Sequence, residues 1–94
     1  MDARESAQLH GSNVVSGNMS AVMADFEPAA LQAFGALGIR PPRGVNKAEV
    51  VGERQEGDQH IFEIKYSNDS ESQTIRSYWA KQGEAWKIVK AEGA

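Results

Sequence analysis

The sequence predicts one α+β domain, with N-terminal helices packed on a curved antiparallel sheet of four strands. Helical periodicity in the N-terminal third, a Gly- and Pro-rich connector, and period-two alternation after it support this class. We expect a helical part at residues 2–38, a connector at 39–44 and a sheet at 45–92. The 94 residues suffice for a single core, so residues 1–94 are treated as one domain.

The first helix is predicted from residues spaced by four, three and four, which share one face: Ala3, Ala7, His10 and Val14. Gly17 should end this helix, because glycine adopts a positive φ without a Cβ clash. Asn18 should then cap a second helix by accepting a backbone N–H bond with its side chain.

The second helix is predicted over Met19–Phe26, with one apolar face: Met19, Val22, Met23 and Phe26. Pro28 suits the first turn of a third helix, whose apolar residues are Leu31, Phe34 and Leu37. This helix should end at Gly38. The two prolines that follow Arg40 should make a stiff connector.

Four strands are predicted from alternation: Val45–Gln55, His60–Tyr66, Thr74–Ala80 and Trp86–Ala91. Gly52 should mark a bulge in the first strand, next to adjacent valines. Arg76 should pair with Glu63 across the sheet. Along the last strand, Trp86 and Ile88 should share one face, with Val89 and Ala91 on the opposite face.

Composition narrows the function classes. The net charge is −3 with no basic face, which argues against nucleic acid as a partner. No apolar run of membrane-spanning length and no secretory signal pattern occurs, so we expect no membrane partner and a cytoplasmic location. There is no cysteine, and the two histidines belong to no ligand motif, so neither a metal site nor a cofactor is expected.

The order of several motifs resembles the nuclear transport factor 2-like, or SnoaL-like, superfamily. These motifs are a helix broken at Gly17-Asn18, a second helix leading into Ala24–Leu31, and a terminal hairpin closing on Trp86–Val89. The resemblance spans nearly the whole chain and implies a cystatin-like fold, a cone-shaped α+β barrel with a cavity between helices and sheet. This chain is short for that superfamily, because the stretch between Phe34 and Val45 is reduced to a connector.

The superfamily includes steroid isomerases, polyketide cyclases, dehydratases, epoxide hydrolases and noncatalytic modules. In the steroid isomerase branch, a tyrosine on the first helix donates to the enolate, and the matching position here is His10. The two carboxylates of that branch fall on Phe34 and Ile75, so its carboxylate pair is missing. Another arrangement using Asp25 or Glu27 remains open.

We therefore expect a small domain that binds an apolar small molecule and forms a homodimer through the outer face of its sheet. The expected ligand-binding residues are His10, Phe34, Phe62, Ile64, Tyr66, Ile75, Ser77 and Trp79. One alternative is an isomerase, cyclase or dehydratase in which His10 serves as the acid or base. The other is a noncatalytic dimerisation module whose pocket is filled by Met19, Met23, Phe34 and Phe62.

Overall fold

The computed structural model describes residues Met1–Ala94 as three helices packed against a four-stranded antiparallel sheet. The helices are α1 (Ala3–Ser16), α2 (Met19–Ala24) and α3 (Pro28–Leu37). The strands are β1 (Lys47–Glu56), β2 (Gln59–Ser67), β3 (Ser72–Gln82) and β4 (Ala85–Gly93). The α+β class and the order of helices before sheet are confirmed. None of the helices is long and apolar enough to cross a membrane.

The ends of the helices follow from local chemistry. Asp2 and Glu5 form a capping box at the start of α1, each side chain accepting a bond from the other residue's backbone N–H. Gly17 and Gly38 end α1 and α3 in the left-handed region, with φ of 77° and 72°. The prediction for Asn18 is wrong in one respect: its side chain makes no capping bond, and its backbone carbonyl accepts from the Val22 N–H.

Helix α1 lies close against the sheet because the residues on its inner face are small. Ala3 and Ala7 are buried, and a Cβ added at Gly11 would stand 3.1 Å from the Cβ of Ala48 on β1. The side chains beneath α1 include Phe62 and Trp79, both with no exposed surface. The main core is a cluster of Ala3, Ala7, Phe62, Ile64, Tyr66, Ile75, Trp79, Ile88 and Ala91.

The strands pair in sequence order, each antiparallel to the next. The predicted bulge in β1 is confirmed, since the register shifts between Val50 and Gly52. A second irregularity was not predicted: Tyr78 faces Lys90 while Trp79 faces Ile88. One extra residue in β4 therefore reverses the alternation there.

That irregularity corrects the predicted faces of the last strand. Ala91 was expected on the face opposite Ile88, but both belong to the buried core, Ala91 being 6% exposed. Ala91 is an odd number of residues after Ile88, so regular alternation would put the two on opposite faces. The extra residue at Val89 shifts the alternation by one and brings Ala91 to the inner face. No glycine or proline marks the position, so the two-residue period alone could not locate it.

The link between α2 and α3 is pinned to β4. Phe26 forms an isolated parallel bridge with Ile88. The Ile88 N–H donates to the Asp25 carbonyl at 2.7 Å, and the Glu27 N–H donates to the Ile88 carbonyl at 2.9 Å. These bonds place Asp25 next to the sheet, on the side that faces α1.

Candidate functional site

A cavity of about 390 Å³ lies between the helices and the inner face of the sheet. It is mainly apolar, since 13 of its 18 lining residues are hydrophobic. Its volume is near the lower end of the range for small-molecule sites, roughly 300–1,000 Å³. The lining side chains on which the site's chemistry depends are His10, Phe34, Arg40, Tyr66 and Ser77.

His10 is the buried histidine of α1 and it has a carboxylate partner. Its Nδ1 lies 2.8 Å from Oδ2 of Asp25, the residue that ends α2. The imidazole is held edge-on against the rings of Trp79 and Phe26, with centroid distances of 5.6 and 5.9 Å. The ring is thus fixed in position by one polar contact and two aromatic contacts.

This pairing determines which nitrogen is available. An ionised carboxylate only accepts hydrogen bonds, so Nδ1 carries the N–H of this contact and Nε2 is the nitrogen left for other partners. Nε2 of His10 has no hydrogen-bond partner in the chain. Every fully buried polar side-chain atom does have a partner, so Nε2 is not fully buried. Nε2 therefore retains contact with the cavity, where it can accept a proton or a hydrogen bond.

Tyr66 on β2 is the second polar group of the cavity interior. Burial, with a smaller contribution from the charge of Asp25, raises the pKa of its phenol well above the usual value. The phenol therefore stays protonated at neutral pH. The Tyr66 hydroxyl has no hydrogen-bond partner in the chain. Because every fully buried polar side-chain atom has a partner, this hydroxyl must keep some exposed surface, and it reaches the cavity as a donor.

Ser77 also borders the cavity, but the fold uses its hydroxyl. Ser77 Oγ donates to the Phe62 carbonyl at 3.3 Å and accepts from Nε1 of Trp79 at 2.9 Å. The second of these bonds satisfies the indole N–H of Trp79, the largest of the fully buried side chains. The free polar groups inside the cavity are thus those of His10 and Tyr66.

Of the side chains that line the cavity, those of Met19 and Met23 on α2 and of Arg40 in the connector are exposed, and we take them to mark its mouth. Met19 and Met23 are 52% and 48% exposed, so each contacts both solvent and the cavity. These flexible thioether side chains can adapt to ligands of different shape. They border the cavity, as Phe34 does, and do not fill it.

Most of the ligand-binding residues expected from the sequence meet at this cavity. His10, Phe34, Ile64, Tyr66, Ile75 and Ser77 line it. Phe62 and Trp79 do not: they have no exposed surface and lie in the core beneath α1. Both share the inner face with the cavity residues, and period-two alternation cannot tell which part of that face a helix covers.

Two residues of the site were missed or underrated. Asp25 was weighed as a helix-boundary acid, and its proximity to His10 depends on the pinning of the α2–α3 link to β4. Arg40 was treated only as part of a stiff connector, yet it lines the cavity. The signal available for Arg40 was its place between an apolar Ile39 and two prolines.

The second histidine lies apart from this site. His60 packs edge-on against Trp86, with ring centroids 5.0 Å apart, and does not line the cavity. No group of three or more His, Asp or Glu side chains is arranged to hold a metal ion. His60 therefore serves as a natural control for His10.

The outer face of the sheet carries an ion-pair network. Arg76 bonds to Glu63 at 2.8 Å, which confirms the predicted pair, and also to Glu92 at 3.0 Å. The Tyr78 hydroxyl donates to Glu92 at 2.7 Å. These two hydrogen bonds lower the pKa of the Glu92 carboxyl, the bond from Tyr78 having the larger effect and the bond from Arg76 the next. These contacts make the part of the outer face around Arg76 polar.

Comparison with known proteins identifies no relative: no family model, no curated protein and no solved structure matches the chain.

Proposed function

We propose that this chain binds an apolar small molecule in the cavity between its helices and its sheet. The observation that carries the proposal is a cavity of about 390 Å³ with a largely apolar lining and two free polar groups, on His10 and Tyr66. Apolar walls supply affinity through burial, and a few converging polar groups orient the ligand.

The family is part of the same proposal. A shortened nuclear transport factor 2-like domain, with the cone-shaped cystatin-like arrangement, would have helices before an antiparallel sheet and a cavity between them. The order of elements and the position of the cavity support this assignment. The position that matches the steroid isomerase tyrosine, His10, also borders the cavity.

Methionine methyl NMR tests the binding proposal directly. The protein has three methionines, and Met1 lies outside the cavity, so it is an internal control. With the apolar dye N-phenyl-1-naphthylamine, the methyl signals of Met19 and Met23 should shift in a saturable way while that of Met1 stays in place. Unshifted methyls, or equal shifts for all three, would contradict binding in the cavity.

A matched pair of variants locates the ligand further. A Cβ at Gly35, which lines the cavity, would meet no atom within 4 Å, so a side chain can begin there without a clash. Gly35→Leu should weaken dye binding by narrowing the cavity. Ala36→Leu, at the next position of α3 and outside the lining, should leave binding unchanged. Equal effects of the two variants would point to a site elsewhere.

A second function, acid–base catalysis as an isomerase, cyclase or dehydratase, is favoured by the 2.8 Å contact between His10 and Asp25. Asp25 orients the ring, and Nε2 can take a proton from a carbon next to a ketone. The C–H electron pair then forms the enolate C=C bond, and charge moves to the oxygen, which can accept a bond from the Tyr66 hydroxyl. For a β,γ-unsaturated ketone the enolate is conjugated with the second double bond, so returning the proton to the γ-carbon reforms the C=O bond and completes an isomerisation.

Solvent exchange measures this step without a known substrate. The protein in D₂O should accelerate exchange of the α-protons of 2-tetralone, followed by proton NMR. General-base catalysis by histidine contributes about 10²- to 10⁴-fold, so His10→Gln should remove most of the acceleration. His60→Gln should retain it, because His60 lies outside the cavity. Exchange that survives His10→Gln would rule out this role.

Homodimerisation through the outer face of the sheet is a separate proposal. An isologous dimer would bring the networks of Arg76, Glu63 and Glu92 from two copies together, so its stability should depend on salt. Sedimentation equilibrium of the wild type and of Arg76→Ala measures this. A monomer at all concentrations would exclude this dimer.

A further inference from the structure

We propose that the natural ligand of the cavity is an amphipathic carboxylic acid, whose carboxylate pairs with Arg40 while its apolar body lies inside. This proposal rests on the proposed binding function and adds the chemical class of the ligand. It follows from the charge at the mouth, the freedom of the Arg40 side chain and the way the connector holds it.

The charge that borders the cavity is positive. Arg40 is the one lining residue with a permanent charge, and no aspartate, glutamate or lysine lines the cavity. The nearby carboxylate of Asp25 is engaged by His10 and lies outside the lining. An anionic group at the mouth would thus meet an attractive cation without an opposing carboxylate in the wall.

The guanidinium of Arg40 is free to take a ligand. Arg40 takes part in none of the ion pairs of the chain, whereas Arg4, Arg54 and Arg76 each contact a glutamate. The Arg40 side chain is exposed, so with a neutral ligand in the cavity its guanidinium would stay hydrated and lose little solvation free energy. A carboxylate could accept two parallel hydrogen bonds from the guanidinium, a geometry that the ammonium group of a lysine cannot provide.

The connector holds Arg40 at the rim. Ile39, just before it, packs against the core, and Pro41, just after it, also lines the cavity. A proline restricts the preceding residue to extended conformations, so the backbone at Arg40 has little freedom. The cation is therefore attached to the edge of an apolar space, as an amphipathic acid requires.

Displacement of bound N-phenyl-1-naphthylamine by three ten-carbon probes tests the class. Decanoate, 1-decanol and decylammonium share an apolar chain and differ in the charge of the head group. With the wild type, decanoate should displace the dye at about five- to tenfold lower concentration than 1-decanol, as expected for a partly desolvated, charge-assisted contact. Decylammonium should be the weakest of the three.

Two arginine variants complete the experiment. Arg40→Gln should make decanoate and 1-decanol equally effective, each displacement being measured against the dye affinity of that variant. Arg43→Gln is the matched control, because Arg43 is exposed in the same connector but does not line the cavity, and it should retain the preference for decanoate. Added salt should reduce the preference in the wild type.

The outcomes separate the two proposals. Equal displacement by decanoate and 1-decanol in the wild type, or the same loss of preference in Arg40→Gln and Arg43→Gln, would overturn the carboxylate anchor and leave cavity binding intact. If neither the dye nor any probe shifts the methyl signals of Met19 and Met23, both proposals fail. A preference for decanoate that disappears only in Arg40→Gln supports the assignment.

Discussion

The inner face of the sheet is covered in two different ways. At one end, which we term the sealed end, Ala3 and Ala7 of α1 cover Phe62 and Trp79, and both large side chains are fully buried. At the other, which we term the open end, residues of α2 and α3 and the side chain of Tyr66 border a cavity of about 390 Å³. The same strands supply both ends, so the difference arises in the helices.

Side-chain size and helix length explain this difference. Helix α1 has 14 residues and meets the sheet with alanine and glycine, so its backbone comes close and the space is filled. Helix α2 has 6 residues, and its methionines stay half-exposed at the mouth. Small residues on a helix can therefore seal a sheet face, while large residues on a short helix can leave a cavity.

The largest expected effect comes from truncating the sealed end. Trp79→Ala removes a fully buried indole and should cost about 3–5 kcal/mol of the free energy of unfolding. Met23→Ala at the open end should cost under about 1 kcal/mol, because the side chain is half-exposed and faces a cavity. Urea unfolding followed by far-UV circular dichroism measures both.

If Trp79→Ala does not fold, Trp79→Phe gives a smaller loss on the same scale. It removes the indole N–H that bonds to Ser77 but keeps an aromatic ring in the core. A Met23→Ala loss as large as that of either tryptophan variant would mean that the two ends are packed equally well.

The second largest effect is a loss of the free energy of unfolding in alkaline solution, caused by Tyr66 at the open end. Burial raises the pKa of Tyr66 in the folded state above the unfolded value of about 10. Between the two pKa values the folded state binds more protons than the unfolded state, so stability is lost as pH rises. The loss from one group is at most about 1.4 kcal/mol per pH unit.

Tyr66→Phe isolates this contribution. Above pH 10 its stability should fall less steeply with pH than that of the wild type, while the other titrating groups are common to both proteins. Urea midpoints measured over a series of alkaline buffers give the comparison. Parallel curves for the two proteins would indicate that the Tyr66 phenol is hydrated in the folded state.

The smallest expected changes in the free energy of unfolding come from replacing one helical glycine at each end by alanine. Gly35→Ala at the open end should stabilise the protein by about 0.5–1 kcal/mol, since alanine favours helix and its Cβ meets no atom within 4 Å. Gly11→Ala has the same helical advantage, but its Cβ would lie 3.1 Å from that of Ala48. Its net effect should be lower by about 1 kcal/mol.

Removing the opposing methyl group tests that explanation. In the double variant Gly11→Ala with Ala48→Gly, the close contact is absent, and the two substitutions should show a favourable coupling in a double-mutant cycle. Simple additivity of the two changes would show that α1 does not touch β1 tightly enough to matter.

Local patterns were sufficient to predict much of the fold. The spacing of Ala3, Ala7 and His10 identified the buried face of α1, and Gly52 identified the bulge in β1. The error in the strand faces arose where no residue type marks the feature. The extra residue near Val89 has no turn or glycine signal, so Ala91 was assigned to the wrong face.

The site was predictable only in part, for a physical reason. Residues such as Ile64 and Tyr66 follow from strand alternation. The contact between His10 and Asp25 joins two helices and depends on the pinning of the α2–α3 link to a strand more than 60 residues further along the chain. Tertiary contacts of this kind leave no periodic trace in the sequence.

The pinning of that link also affects self-association. As the last strand, β4 would offer unpaired backbone groups to a strand of another molecule. The N–H and carbonyl of Ile88 are already bonded to the α2–α3 link, which blocks that edge at its centre. The opposite edge, β1, is left uncovered, but charged residues such as Lys47 and Arg54 and the bulge at Gly52 disfavour pairing with another chain. Edge-to-edge aggregation is thus opposed on both sides of the sheet.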